Sequence, residues 1–263
     1  MIDWRHWHNE PYLTGGLILA GWLYAVLAGP LRGRLAPAAP YPRGRAALFY
    51  LALVIFYLAV GSPLDQIGER FLLSAHMVQH ALIMYPVPLL LLLGTPAWMI
   101  DPILSRPALR APLRLLLHPL SCAVLSAGVI SAWHAPFLYE WTLQDKLAHV
   151  LEHLMFLAVS LLYWWPIASP SEAFPAPSYP VRILYVVGAE VAMIPVSAYI
   201  VFSSDVLYPT YEFAPRILGG FSPADDQLVA GVIMKVAGMA VSLAALAVFF
   251  FRWFASSGRG ARD

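Results

Sequence analysis

Long apolar stretches alternate with short polar ones along the chain, and seven of them approach the roughly 20 residues that a helix needs to cross a membrane. They lie near residues 13–31, 46–64, 71–93, 115–134, 147–167, 181–203 and 228–254. The second reaches that length only if its helix continues through Pro63 and Leu64. The pattern therefore predicts an all-α integral membrane protein, with one domain formed by a bundle of seven transmembrane helices.

Composition supports this class. Apolar residues make up 60% of the 263 residues and charged residues only 12%, whereas about a quarter of an average soluble chain is charged. Seven buried helices in a soluble protein would leave almost no chain to cover them. A nucleic-acid-binding protein needs a concentrated basic face, and the net charge of this chain is only +1. The lipid bilayer is thus an expected partner, and nucleic acid is not.

The basic residues are distributed unevenly between alternate loops. Eleven of them follow the first and third segments, precede the sixth or end the chain, the last two being Arg259 and Arg262. Only Arg5, Arg70 and Lys146, together with Arg216, fall on the other side. Because positive charge stays on the cytoplasmic side, this count predicts an amino terminus outside and a carboxy terminus in the cytoplasm.

Histidines gather at the predicted outer ends of the segments. His76 and His80 lie in the first turns of the third, His149 and His153 open the fifth, and His134 ends the fourth. A spacing of four residues places both imidazoles of a pair on one face of a helix. One such pair would be weak evidence, because a histidine at a helix end is often an interfacial residue. Two pairs in the same layer, with His134 nearby, predict a shared metal site.

The donor types favour copper. Imidazole suits copper, zinc, iron and nickel, and thioether sulfur selects Cu(I). Met77, Met84 and Met234 lie on the helices that would surround the site, although methionine is also a common filler of apolar cores. These three are therefore candidates for additional ligands, and the oxidation state of the ion stays open.

Carboxylates occur in the same layer. Asp65 follows the second segment, Glu152 precedes His153, and Asp226 precedes the seventh segment. Such groups can bind the ion or orient metal-bound imidazoles. Asp65 and Asp226 could equally be solvated loop residues.

Two charged residues lie deeper in the apolar segments. An unpaired charge is costly inside a bilayer, so Glu190 and Lys235 should have partners. Counting depth along the predicted helices pairs Lys235 with Glu152. Glu190 then has no assigned partner, and is either protonated or part of a proton or ion path.

Several strings between about Ser62 and Lys235 resemble the CtaG-type, or caa3-type, cytochrome c oxidase assembly factors. The strings are Ser62-Pro63-Leu64-Asp65, Ser74 to His80, Leu93-Gly94-Thr95-Pro96, Trp133-His134-Ala135-Pro136, His149 to His153, Leu162 to Pro166, and Asp226-Gln227 with Ala230 to Met234. The resemblance implies a multi-pass protein of the bacterial inner membrane that acts in respiratory chain biogenesis. It also implies a copper role for the five histidines of the predicted site.

The leading hypothesis is a metallochaperone: a copper-binding assembly factor, not an enzyme, that helps deliver copper to a haem-copper oxidase subunit. A periplasmic copper donor would be a further partner. A haem-binding electron-transfer protein is one alternative, since paired histidines on separate helices can ligate haem. A copper transporter is a second alternative, and a structural scaffold with incidental histidines is a third.

Overall fold

The computed structural model describes residues 4–5 and 7–257, which form helices and no strand. Arg259 and Arg262, which contribute to the predicted orientation, lie outside the described residues. In chain order the first eight helices are α1 (Pro11–Ala28), α2 (Arg32–Leu35), α3 (Arg43–Gly61), α4 (Pro63–Arg70), α5 (Leu73–Met84), α6 (Pro86–Gly94), α7 (Ala97–Leu104) and α8 (Pro107–Leu116). They are followed by α9 (Pro119–Trp133), α10 (Pro136–Gln144), α11 (Lys146–Ala168), α12 (Tyr179–Ala192), α13 (Ile194–Phe202), α14 (Pro209–Glu212) and α15 (Pro223–Ser257).

Six helical segments are long and apolar enough to cross a membrane: α1, α3, α5 with α6, α11, α12 with α13, and α15. Helices α8 and α9 add a seventh if they form one span, despite a bend of 65° between them. The all-helical membrane fold is therefore confirmed, with six or seven spans. The side on which each terminus lies stays a prediction.

Proline explains most differences between predicted and observed helices. The predicted 71–93 helix is interrupted at Tyr85, and the predicted 181–203 helix at Met193, each just before a proline-containing first turn. Proline is accepted in a first turn, where its missing N–H has no intrahelical partner, but it disrupts a helix interior. The predicted 115–134 helix likewise begins only at Pro119.

The predicted extension of the second helix through residue 64 is wrong. Helix α3 ends at Gly61, and Ser62 adopts an extended conformation in which its Oγ accepts a hydrogen bond from the backbone N–H of Leu64, at 3.2 Å. A serine in this position satisfies an N–H group that the first turn leaves free. The result is a separate short helix, α4, which contains Asp65 and Glu69 and packs against α5.

Helix α5 occupies the centre of the bundle at one end. It packs against α3, α4, α11 and α15, and this arrangement brings its histidines close to those of α11. Helix α1 lies to one side, and a cavity of about 950 Å³ is lined by residues of α1, α3, α6 and α11. We call the end of the bundle where α5 and α11 begin the histidine end.

Candidate metal centre

The two histidine pairs point into one buried cluster at the histidine end. His76 and His80 extend from the first half of α5, and His149 and His153 from the first half of α11. All four side chains belong to residues that are at most 5% exposed. Burial of imidazole is costly unless the ring nitrogens have partners, so the partners of each nitrogen are informative.

The Nε2 atoms lie close together within each pair. They lie 2.7 Å apart in the pair His76 and His80, and 3.1 Å apart in the pair His149 and His153. Two ring nitrogens at such distances either share a proton or direct their lone pairs at a common cation. His76, His149, His153 and Glu152 each offer one ligating atom within 4.8 Å of the others, which is a geometry that a metal ion can bridge.

Glu152 is the carboxyl group that lies closest to His76 and His80. It is fully buried, and its carboxylate lies 3.9 Å from the Nε2 atoms of both His76 and His80. Among the described residues, neither of its oxygen atoms has a hydrogen-bond partner. A buried carboxylate without partners is expensive, whereas a bound cation would satisfy it.

His76 is oriented by a tyrosine on the opposite side of its ring. The hydroxyl of Tyr211 donates to the carbonyl of Gly68 at 2.7 Å and lies 3.2 Å from Nδ1 of His76. Burial raises the pKa of Tyr211 well above its ordinary value, so the hydroxyl keeps its single hydrogen. Since that hydrogen goes to Gly68, Nδ1 of His76 is the donor to Tyr211. Nε2 of His76 is then left with a lone pair.

His149 is oriented in the same way by a carboxylate. Its Nδ1 lies 2.5 Å from Oε1 of Glu69 on α4, so it donates there and leaves Nε2 as the lone pair. Burial by itself would raise the pKa of Glu69, but the hydrogen bond to His149 together with the nearby charges of His149, His8 and Arg70 holds the pKa below the ordinary value. The sequence interpretation missed Glu69, although its i, i+4 spacing from Asp65 on one helix face was a usable signal.

His134 lies beside the cluster. Its Nδ1 donates to the carbonyl of Ile130 at 2.7 Å, and its buried Nε2 has no hydrogen-bond partner among the described residues. The centroid of its ring is 5.8 Å from that of His80. In His76, His134 and His149 alike, an acceptor binds Nδ1 and leaves Nε2 available, which is the usual arrangement for metal-bound imidazoles.

Asp65 is buried at the edge of this cluster and is not a solvated loop residue. It accepts hydrogen bonds from Nε2 of Gln79, at 2.5 Å, and from Nδ1 of His8, at 2.7 Å. The bond from His8 raises the pKa of that histidine. His8 and Gln79 were not among the predicted site residues. Only the packing of α4 against α5 and of the amino-terminal segment against α4 brings them to Asp65.

Asp226 has a positioning role that its place in the chain does not suggest. It is fully buried, and its two oxygens accept from the backbone N–H groups of Leu73 and Ser74, at 2.7 and 3.0 Å. These are the first residues of α5, whose N–H groups lack intrahelical partners. Asp226 of α15 therefore holds the start of the helix that contains His76.

The three methionine candidates pack in apolar clusters. Met77 lies with Leu73 and three tyrosines, and Met84 and Met234 pack with residues such as Ile83 and Phe156. The structure thus gives them the packing role that methionine commonly has. Their inclusion among the metal ligands stays a prediction that the geometry does not support.

The predicted pairing of Lys235 with Glu152 is wrong. Nζ of Lys235 lies 3.0 Å from Oε2 of Glu190, and the other carboxylate oxygen of Glu190 accepts from the hydroxyl of Ser242 at 2.6 Å. Helix α15 begins at Pro223, five residues before the predicted start. At 1.5 Å per residue, a count from the predicted start is short by about 7.5 Å, and the ion pair places Lys235 beside Glu190.

The fold and the cluster define a class: a polytopic helical membrane protein with a buried histidine and carboxylate site at one end of its bundle. Within that class the chain belongs to the cytochrome c oxidase caa3 assembly factor family (Caa3_CtaG), whose model matches residues 22–256. The family resemblance identified between Ser62 and Lys235 is thereby confirmed and extended. Comparisons with curated proteins and with solved structures gave no match.

Proposed function

We propose that this assembly factor binds copper in the buried cluster and helps deliver or insert it into a haem-copper terminal oxidase. The observation that supports the proposal best is that His76, His149, Glu152 and His153 each offer a ligating atom within 4.8 Å of the others, and that Nδ1 of His76 and of His149 is held by Tyr211 or Glu69. The carboxyl oxygens of Glu152 have no hydrogen-bond partner among the described residues. Copper is here the cargo of the protein.

The donor set supports copper over harder cations. Imidazole is a good ligand for first-row metals, and affinity at such sites rises to a maximum at Cu(II). Carboxylate, carbonyl and water ligands, which suit magnesium and calcium, are in the minority in the inner cluster.

The site would receive its ion from outside the cytoplasm. With the orientation that the basic residues predict, the histidine end faces the periplasm of a bacterial cytoplasmic membrane. A periplasmic donor could then supply copper, and an oxidase subunit could take it within the bilayer. A non-catalytic role agrees with a family of assembly factors.

The haem alternative has less support. A haem iron with two histidine ligands takes one imidazole on each side of the ring plane, whereas the Nε2 atoms within each pair here are in contact. A Soret band in purified protein would favour haem. Uptake of copper into sealed vesicles would instead favour the transporter alternative.

The proposal is tested by elemental analysis of the detergent-purified protein after copper loading. We expect about one copper ion per chain in the wild type and a loss of at least nine tenths of it in His76→Ala and His153→Ala. His118→Ala is the matched control, because His118 is exposed and lies at the start of α9. Equal copper in all four proteins would contradict the proposal.

A cellular assay tests the delivery step. Cells that lack the chain would be complemented with wild type, His153→Ala or His118→Ala, and the copper content and activity of the caa3-type oxidase would be measured. We expect His153→Ala alone to lower both to the level of uncomplemented cells. Normal oxidase in the His153→Ala cells would contradict a role of this site in delivery.

A further inference from the structure

A second group of ligating side chains adjoins the cluster and shares one residue with it. Asp65, Glu69 and His149 each offer one atom within 4.8 Å of the other two. We call these three residues the outer group, and His76, His149, Glu152 and His153 the inner group. His149 belongs to both, because its Nδ1 lies against Glu69 and its Nε2 lies 3.1 Å from Nε2 of His153.

The outer group lies where a cation would first meet the site. Glu69 and His8 border a polar cavity of about 610 Å³ that has no inner-group residue in its lining. They also border the larger cavity, whose lining includes Asp65, His149 and His153. Among the residues of the two groups, an ion in the polar cavity therefore meets Glu69 first, and Asp65 and His149 each offer an atom within 4.8 Å of a carboxylate oxygen of Glu69.

The outer and inner groups offer copper different donor atoms, and the difference favours movement of the ion from the outer to the inner group. The outer group offers two carboxylates and one imidazole, and the inner group offers three imidazoles and one carboxylate. Imidazole is the better copper ligand of the two, so the inner group should bind copper more tightly. Next to the outer group, Gln79 is fully buried and donates to Asp65, while its amide oxygen has no partner among the described residues. An amide oxygen can bind a metal ion, so this atom is a further candidate ligand.

We infer that Asp65, Glu69 and His149 form an entry site for Cu(II), from which the ion moves to the inner group through the shared imidazole. The inference rests on the proposed function. Mixed nitrogen and oxygen donors suit Cu(II), and no change of oxidation state is needed. Binding at Nδ1 of His149 transfers the ring proton to Nε2. Passage to Nε2 breaks the bonds from the ion to both carboxylates and to Nδ1 of His149, forms bonds to Nε2 of His149 and to the other imidazoles, and returns the proton from Nε2 to Nδ1.

The equilibrium test removes the inner ligands and asks whether the outer group still binds. In the double variant His76→Ala/His153→Ala, titration to saturating Cu(II) should still give one ion per chain, bound at least 100-fold more weakly than in wild type and therefore not held at the lower copper level of the elemental analysis. Its electron paramagnetic resonance spectrum should show mixed nitrogen and oxygen ligation. Adding Glu69→Gln, which keeps a hydrogen-bond acceptor for His149 but removes the charge, should weaken binding at least tenfold more.

The kinetic test uses the intact inner group. Rapid mixing of the full-length wild type with buffered Cu(II) gives the rate of loading, and we expect Glu69→Gln and Asp65→Asn each to slow it at least tenfold. Glu140→Gln is the matched control, because Glu140 binds Thr210 instead of any histidine of the site and should load at the wild-type rate.

The outcomes separate this inference from the proposed function. Wild type that loads copper, combined with a double variant that binds no Cu(II) in the titration or is insensitive to Glu69→Gln, would overturn the entry site alone. Wild type that takes up no copper would overturn both. If the double variant does not fold, the loading rates decide, and unchanged rates in Glu69→Gln and Asp65→Asn would overturn the entry site.

Discussion

The protein has two groups of polar residues inside its apolar helices, and they differ in how fully their atoms are satisfied. The deeper group consists of Glu190, Lys235 and Ser242. Glu190 bonds both of the others, and the two charged side chains are 20–31% exposed. At the histidine end, the residues are almost fully buried, yet Glu152, His80 and His134 each keep atoms without partners among the described residues.

This difference supports the proposal that the histidine end is a binding site and that the pair of Glu190 and Lys235 is structural. Polar groups in a membrane are costly wherever they lie, so their presence alone does not distinguish the two roles. A pair that satisfies itself, such as Glu190 and Lys235, fastens one helix to another. The buried cluster keeps ring nitrogens and carboxyl oxygens without partners among the described residues, and the proposed cation would satisfy them.

The largest expected effect is on copper affinity. His76→Ala removes a converging Nε2 and should raise the Kd for copper at least 100-fold, about 3 kcal/mol at 1.4 kcal/mol per tenfold. Glu190→Gln should stay within a factor of two of wild type. Competition with a copper chelator of known affinity measures both. An equal loss in the two variants would show that the two groups do not differ in function.

The next effect tests the packing that places His76. A Cβ on Gly68 would lie 3.1 Å from the backbone N and Cα of His76, and backbone yields less readily than a flexible side chain. Gly68→Val should therefore lower the free energy of unfolding by about 2–3 kcal/mol, a typical cost of overpacking. Gly188→Val is the control, because its Cβ meets nothing within 4 Å. Thermal unfolding in detergent measures both, and equal stability would show that α4 can move away from α5.

A smaller loss is expected when the deeper pair is broken. Glu190→Leu leaves the ammonium group of Lys235 without its carboxylate and should cost about 2 kcal/mol, within the range for polar groups inside helices in a bilayer. The double variant Glu190→Leu/Lys235→Met should recover most of that loss, because neither charge remains. Unfolding in mixed micelles measures both. A double variant as unstable as the single one would contradict a purely structural pair.

Removal of one hydroxyl should have a moderate effect confined to the histidine end. Tyr211→Phe leaves Nδ1 of His76 without an acceptor and should raise the copper Kd about tenfold, the lower end for residues that orient metal ligands. Tyr185→Phe is the matched control, because its hydroxyl donates to the carbonyl of Tyr163 away from the site. Isothermal titration measures both, and an unchanged Kd in Tyr211→Phe would contradict the assigned donor.

The smallest effect concerns the rim of the site. Glu10 is partly exposed and pairs with Lys146. Burial would raise the pKa of Glu10, but the hydrogen bond and charge of Lys146, with a backbone hydrogen bond and the charge of His8, together lower it. A lowered pKa in the folded state means that the pair stabilises the protein above the ordinary pKa and that this is lost as the pH falls through the lowered value. The loss should be under about 1 kcal/mol, as for other surface pairs. Thermal unfolding between pH 6 and pH 3.5 should show a shallower decline in Glu10→Gln than in wild type.

Much of the site could be predicted because it is local. The four-residue spacing of His76 with His80 and of His149 with His153 follows from helical periodicity and needs no tertiary information. Glu152, one residue before His153, was expected for the same reason. Tyr211 and His8 could not be found in this way, since they reach the site from other segments, whereas Glu69 was missed although it lies four residues after Asp65 on the same helix.

The predictions from sequence were wrong where a side chain's partner depends on where a helix begins or ends. Ser62 and Pro63 terminate one helix and start another, so that Asp65 and Glu69 stand on a helix of their own. The early start of α15 moves Lys235 away from Glu152 and next to Glu190. Five residues are more than one helical turn. A depth counted from the wrong helix start therefore assigns the wrong partner to a side chain such as Lys235.

Apolar periodicity and histidine spacing were sufficient to indicate a helical membrane protein with paired imidazoles at one end, because both depend only on residues close together in the chain. The partner of each ring nitrogen depended on how α4, α11, α14 and α15 pack around α5. Hydrogen bonds such as those from Tyr211 to Gly68 and from Leu73 to Asp226 join residues more than 140 positions apart. Only tertiary packing brings such residues together, because local periodicity relates only residues that are close together in the chain.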